Sequence, residues 1–148
     1  MTAYNNNFNI YSLGNYYNWY SATAGNGTYS KSSGSTTGDI CPAGWHLPTG
    51  NTGGEFSALD VAMGGIGAYQ STTEASLRWR KYPNNFVYSG LVYGSSIYNR
   101  GSSGGYWSST AYDSINAYYL DFNSSDVYPG TFNSYKRHGF MARCILGS

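Results

Sequence analysis

The side chains best equipped for chemistry in this 148-residue chain are few: Cys41, Cys144, His46, His138 and seven carboxylates. A zinc site needs soft ligands in short pairs, and these cysteines and histidines lie too far apart in sequence to supply them. Both histidines therefore read as core or surface residues. Gly101-Ser102-Ser103-Gly104-Gly105 matches the Gly-x-Ser-x-Gly pattern, yet it leads into Tyr106-Trp107 rather than into a helix, where a nucleophile elbow must sit. Residues 50–54 are Gly-rich but lack the Gly-Lys-Ser/Thr ending of a phosphate cradle. The expectation is a protein that is not an enzyme and holds no cofactor or dedicated metal, with Asp113, Asp121 and Asp126 as the carboxylates able to attract a cation.

In place of charge the chain carries aromatic rings. Charged residues make up 10% and the formal net charge is +1, which leaves no electrostatic grip on nucleic acid or on an anionic membrane. Its 17 Tyr, 6 Phe and 4 Trp accompany 20 Gly, a composition suited to irregular structure stitched by ring packing. The mixture is densest in residues 104–144, where Tyr, Ser, Asn, Asp and Gly predominate. Tyr gives large contact area with few rotatable bonds and Ser, Gly and Asn give adaptable hydrogen bonds, as in antibody paratopes. The same residues also decorate ordinary exposed β structure and turns, and composition leaves both readings open.

The elements that would position these residues follow from periodicity. Tyr118, Leu120 and Phe122 alternate with Tyr119, Asp121 and Asn123, which predicts a strand with the first set, together with Trp107, in the core and the second set facing water. A further strand is expected over residues 140–145, with a turn at Pro129-Gly130 between the two. Thr52-Gly53-Gly54-Glu55 has capping-box spacing and predicts a helix burying Phe56, Leu59 and Met63, stopped by Gly64-Gly65. A second short helix is expected from Ser71-Thr72-Thr73-Glu74 to about Arg80, before Pro83. Residues 4–20 read as short strands carrying Phe8, Ile10, Tyr11 and Leu13, residues 21–39 and 94–105 as loops, and residues 86–93 as β-formers. The sum is one α+β domain over residues 1–148, a twisted, mainly antiparallel sheet with two short helices and long irregular loops. No apolar run is long enough to cross a bilayer, and Met1-Thr2-Ala3-Tyr4 does not begin a secretory signal, so localisation stays open and no membrane insertion is expected. Cys41 and Cys144 are either buried thiols or a bridge, whose loop of roughly 100 residues the chain-entropy treatment values at about 4.7 kcal/mol.

Several blocks in fixed order carry a resemblance. Gly14-Asn15-Tyr16-Tyr17-Asn18-Trp19-Tyr20, Cys41-Pro42-Ala43-Gly44-Trp45-His46-Leu47-Pro48-Thr49, Tyr82-Pro83-Asn84-Asn85-Phe86-Val87-Tyr88-Ser89-Gly90, the run from Tyr98-Asn99-Arg100 to Tyr106-Trp107-Ser108-Ser109-Thr110, and Gly139-Phe140-Met141-Ala142-Arg143-Cys144 resemble the Fibrobacter succinogenes major paralogous domain. That family is similar to the variable proteins of diversity-generating retroelements, which have a C-type lectin-like fold. The resemblance implies that Cys41 and Cys144 pair, since both lie in family blocks and such folds bring the chain ends together. It offers no support for calcium-dependent sugar binding, because Glu-Pro-Asn, Gln-Pro-Asp and Trp-Asn-Asp are absent, nor for formylglycine formation, because only Cys144 lies near the C-terminal end.

In such systems template adenines are randomised, turning Asn codons into almost any codon ending in a pyrimidine, which cannot encode Trp, Met, Gln, Glu or Lys. Between Ser109 and Gly139 the first four are absent and the only Lys is Lys136. The resemblance thus implies a ligand-binding receptor or adhesin module with a variable region over approximately residues 111–138, on a scaffold of residues 16–110 and 140–145. Its site residues would be Asp113, Ile115, Tyr119, Asp121, Asp126, Tyr128, Phe132, Asn133, Ser134, Tyr135, Arg137 and His138, each reachable from an Asn codon. Tyr119, Tyr128, Phe132 and Tyr135 would be contact anchors, and Asp121, Asp126 and Arg137 would set specificity. The partner would be a protein or glycan ligand on a cell or virus surface. The alternative expectation is a fixed structural or adhesive surface domain without diversification, presenting the same aromatic face.

Overall fold

The computed structural model describes residues 14–25 and 32–147 of the chain. In chain order the elements are α1 (Trp19–Ala22), β1 (Gly34–Ser35), β2 (Trp45–His46), α2 (Glu55–Ala62), β3 (Gln70–Ser71), α3 (Thr73–Arg80), β4 (Leu91–Tyr93), β5 (Ser96–Tyr98), β6 (Ser103–Ala111), β7 (Asn116–Asn123), β8 (Asp126–Tyr135) and β9 (Ile145–Leu146). Five strands form one antiparallel sheet in the order β1-β6-β7-β8-β3, and the pairs β2-β9 and β4-β5 stand apart. The fold is α+β with a mostly antiparallel sheet and few short helices, as the periodicity predicts. The expected strand residues Phe8, Ile10, Tyr11 and Leu13 lie outside the described residues, while Trp19 opens a one-turn helix rather than closing a strand.

The central sheet is buried on two sides. Cross-strand partners share a face, so the pairs Tyr106↔Leu120 and Phe122↔Val127 line one side and Trp107↔Tyr119 the other. The first side packs on Phe56 of α2, Ala75 and Trp79 of α3, Phe86 and Met141. The second packs on Phe140, Leu47, Trp19 and Ala22. The alternation read around Leu120 is therefore correct in phase, but its second face is not open to water at Tyr119, which is 7% exposed beneath Trp107 and Phe140. Tyr118, expected in the core, is only half-buried, with its ring edge-on to exposed Tyr112.

Both predicted helices form, with capping that spacing alone did not identify. Helix α2 is capped from Thr49 rather than Thr52. The Thr49 hydroxyl accepts the Glu55 N–H at 2.9 Å, and the Glu55 carboxylate accepts the Thr49 N–H at 2.9 Å. After Met63 the chain turns left-handed at Gly64 (φ 93°), ending the helix where expected. Helix α3 takes Thr72 as its N-cap, accepting the Ala75 N–H, with Glu74 in the first turn and Arg78 and Arg80 in the last, each sign suited to the helix dipole. Between the helices the Asp60 carboxylate accepts from Gly67 N–H, Gln70 Nε2 and Trp79 Nε1, so its burial is compensated.

Pro129-Gly130 is not the expected turn. The β7–β8 hairpin turns at Ser124-Ser125, where Asn123 Oδ1 accepts the N–H groups of Ser125 and Asp126. Pro129 and Gly130 lie inside β8 in an irregularity of the pairing between Tyr119↔Phe132 and Asp121↔Tyr128. Their carbonyls point away from β7: that of Pro129 accepts from Ser57 Oγ and that of Gly130 from Asn51 N–H. The bulge is thereby docked on the start of α2. The expected strand over residues 140–145 shrinks to bridges at Phe140 and Met141 and to β9. The 94–105 stretch, read as a loop, contains β5 and the start of β6. Cys41 and Cys144 are bridged, with Cα atoms 5.8 Å apart, beside the β2–β9 pair.

Truncating either sheet face should cost similar stability. Phe122→Ala and Tyr119→Ala should each lower stability by about 3 kcal/mol and the melting temperature by roughly 10 °C. Tyr135→Ala, at an exposed position, should shift stability by less than about 0.5 kcal/mol. Thermal unfolding followed by circular dichroism checks all three, and a neutral Tyr119→Ala would contradict the two-sided core.

Candidate functional site

β8 carries a row of rings, half-buried Tyr128 followed by exposed Phe132 and Tyr135. Tyr128 stacks on Tyr69 with centroids 4.5 Å apart, Phe132 follows at 4.8 Å from Tyr128, and Tyr119 lies 5.9 Å below Phe132. Phe132 is 44% exposed, so the strip ends in an open ring. Beyond the end of β8 a second group forms around His138, whose ring meets Tyr135 at 5.4 Å and Tyr93 at 5.0 Å, with the Arg137 guanidinium 4.9 Å from the Tyr135 ring centre. The β4–β5 hairpin extends this group through Tyr93 and Tyr98.

The twelve expected site residues divide by what they do. Tyr128, Phe132, Tyr135, Arg137 and His138 belong to these two ring groups. Ile115 stands 52% exposed on the β6–β7 turn. Asp113 is occupied by that turn, accepting the N–H groups of Ile115 and Asn116 and the Asn116 side-chain amide, bonds that hold its pKa below the ordinary value. Asp126 accepts from Tyr69 Oη and Ser125 Oγ at 2.9 Å, and hydrogen bonding lowers its pKa likewise. Asn133, opposite Tyr118, and Ser134 are half-buried. Tyr119 is corrected from an exposed anchor to a buried ring.

Asp121 differs from the other two aspartates. Its carboxylate accepts no hydrogen bond from any described residue, and burial, reinforced by the nearby charge of Asp126, pushes its pKa up to about 6. It opens on a hollow of about 210 Å³ lined also by Gly90, Leu91, Gly105, Tyr119 and Phe140, with Asn99 and Ser103 at polar positions. Two glycines near the start of β6 line the hollow, and both are packed closely by rings. A Cβ on Gly105 would lie 2.3 Å from the Phe140 ring, and one on Gly104 2.3 Å from the Phe122 ring on the opposite face. Sequence reading passed over this region as a loop, and a Gly pair directly before a β-rich aromatic block is the signal that could have marked a close backbone approach. Tyr69, Tyr93 and Tyr98 were missed because they lie outside residues 111–138 and reach the site only through the fold.

The histidines take structural roles. His46 bridges the Glu55 carboxylate at 2.7 Å and the Gly147 carbonyl at 2.8 Å, and these acceptors raise its pKa by favouring the doubly protonated ring. His138 Nδ1 is 2.9 Å from Ser134 Oγ, but Nε2 meets no carboxylate, so the pair lacks the third member that orients a catalytic base. Among the described residues no three His, Cys, Asp or Glu side chains converge as a metal site would require. Searches against family models, curated proteins and solved structures found no match for this chain.

The raised pKa of Asp121 has a signed consequence. The native state holds its proton more tightly than the unfolded chain, so its contribution to stability is complete below about pH 4 and falls as pH rises through about 6. Asp121→Asn should therefore stabilise the protein by about 2 kcal/mol at pH 7.5, raising the melting temperature by about 5 °C, with no gain at pH 3.5. Melting curves at the two pH values check this, and a pH-independent difference would refute it.

Proposed function

We propose that this chain is a ligand-binding module with a C-type lectin-like fold, the variable protein of a diversity-generating retroelement, serving a receptor or adhesin that meets protein or glycan on a cell or virus surface. One observation carries the reading: the open side chains of β8 and its C-terminal turn sit on a backbone that other groups hold. The bulge hangs on Ser57 and Asn51, and Lys136, 0% exposed, donates from Nζ to the Ser114 carbonyl and lies over the Trp19 ring. The rings of Phe132 and Tyr135 are not needed for either attachment. Supporting the fold assignment are a small antiparallel sheet, two short helices on one side, and a disulfide spanning 103 residues that ties the C-terminal segment back to Cys41, ahead of β2.

Under this reading Ile115, Tyr128, Phe132, Asn133, Ser134, Tyr135 and Arg137 are replaceable, whereas Asp113, Tyr119 and Lys136 are part of the support. A displayed library randomised at the first set should stay folded in most members, each change costing under about 1 kcal/mol, and should yield specific binders. A library at Tyr119 and Lys136 should be mostly unfolded. The genomic locus gives an independent check: a repeat of this 3′ segment differing only at adenines, beside a reverse transcriptase gene, is expected. Absence of both would leave a fixed adhesive surface domain.

A further inference from the structure

The hollow beside Asp121 has one charged wall. Asp121 is the only ionised group lining it, and Leu91, Tyr119 and Phe140 supply apolar surface, the two rings stacked with centroids 4.4 Å apart. A carboxylate without hydrogen-bond donors is poorly solvated in such a place and left uncompensated by any neutral occupant. Ring faces favour a cation electrostatically and disfavour an anion. The volume of about 210 Å³ corresponds to about seven waters, room for an alkyl stem of four or five carbons ending in a compact polar head.

We infer that this hollow is a subsite for a primary alkylammonium group, such as the end of a lysine side chain, with Asp121 as its counter-charge and Tyr119 and Phe140 against its stem. Three N–H donors of an ammonium can be met by Asp121 and by the side-chain oxygens of Asn99 and Ser103. The flat fork of a guanidinium is matched best by a second in-plane acceptor, whereas a point charge on a flexible stem suits one carboxylate flanked by neutral polar groups, with Leu91 and the ring edges along the stem. Seven of the ten lining residues lie outside residues 111–138, among them Leu91 of β4 and Ser103 of β6, so the preference for a cation belongs partly to the scaffold and the counter-charge to one variable-region position. The inference rests on reading this face as a ligand-binding surface and names the chemistry of one part of it.

The test titrates the full chain at pH 7.5 with Nα-acetyl-lysine N-methylamide and follows the amide resonances of Gly104, Gly105 and Asn123. Saturable shifts at millimolar ligand are expected, weakened by about tenfold or more in Asp121→Asn, an isosteric variant that removes only the counter-charge. The norleucine analogue, equal in stem and lacking the charge, should bind about tenfold more weakly or not at all. Equal binding by the norleucine analogue, unchanged affinity in Asp121→Asn, or no shifts overturns the inference, and so does saturation of the same resonances by calcium chloride instead of the lysine derivative. Binders from the β8 library with no lysine response would refute the subsite alone. A lysine response from a chain whose library yields none would keep the subsite and refute the diversified face.

Discussion

Residues 139–141 are the constraint on which the rest of the structure depends. Three consecutive residues join three otherwise separate pieces of chain: Gly139 exchanges two backbone hydrogen bonds with Val92, Phe140 two with Tyr17, and Met141 accepts from Trp107 and donates to Gly105. Their side chains divide as well, Phe140 entering the core on one face of the sheet and Met141 the core on the other. The disulfide at Cys144 lies three residues further on, and the loop it closes includes every strand of the main sheet except the described β1. A sheet covered on both faces needs something to pass from one face to the other, and here a short extended segment does so at the edge of β6.

That arrangement leaves the outward side chains of β8 separate from the support. Backbone hydrogen bonds and small-residue contacts fix β6, β7 and the bulge of β8, so a side chain pointing outward from β8 has few structural duties. Lys136 shows the converse. It is the single residue in its region that pyrimidine-ending codons could not supply, and it is buried against Trp19 with its ammonium held by a turn carbonyl. Its chemistry belongs to the support, as does that of Asp113 and Tyr119 in the same stretch.

Much of the architecture was legible before any coordinates. Period-two alternation marked β7 in its correct phase, and Gly64 marked the end of α2, because these signals are local and each is written within a few residues. Other features escaped because they depend on distant partners. Tyr119 has the neighbours of an exposed residue in sequence and is buried only because Phe140 returns from 21 positions later in the chain. Pro129-Gly130 reads as a turn by composition, and only Asn51 and Ser57, over 70 residues earlier, make it a bulge. The hollow was illegible for the same reason: Gly104 and Gly105 are defined by rings that press on them from β7 and from Phe140.

The bulge also bears on how the open edge of β8 is protected. β3 pairs with β8 only at Asp126 and Val127, so from Tyr128 to Tyr135 the outer side of β8 has no strand partner among the described residues. An aromatic edge strand of that length is a template for adding another chain. Pro129 removes one donor from that edge, and the diversion of the Pro129 and Gly130 carbonyls toward α2 removes two acceptors, which interrupts the row into pieces too short to recruit a second strand. Protection of this edge against strand addition is thus written into its backbone rather than into its side chains.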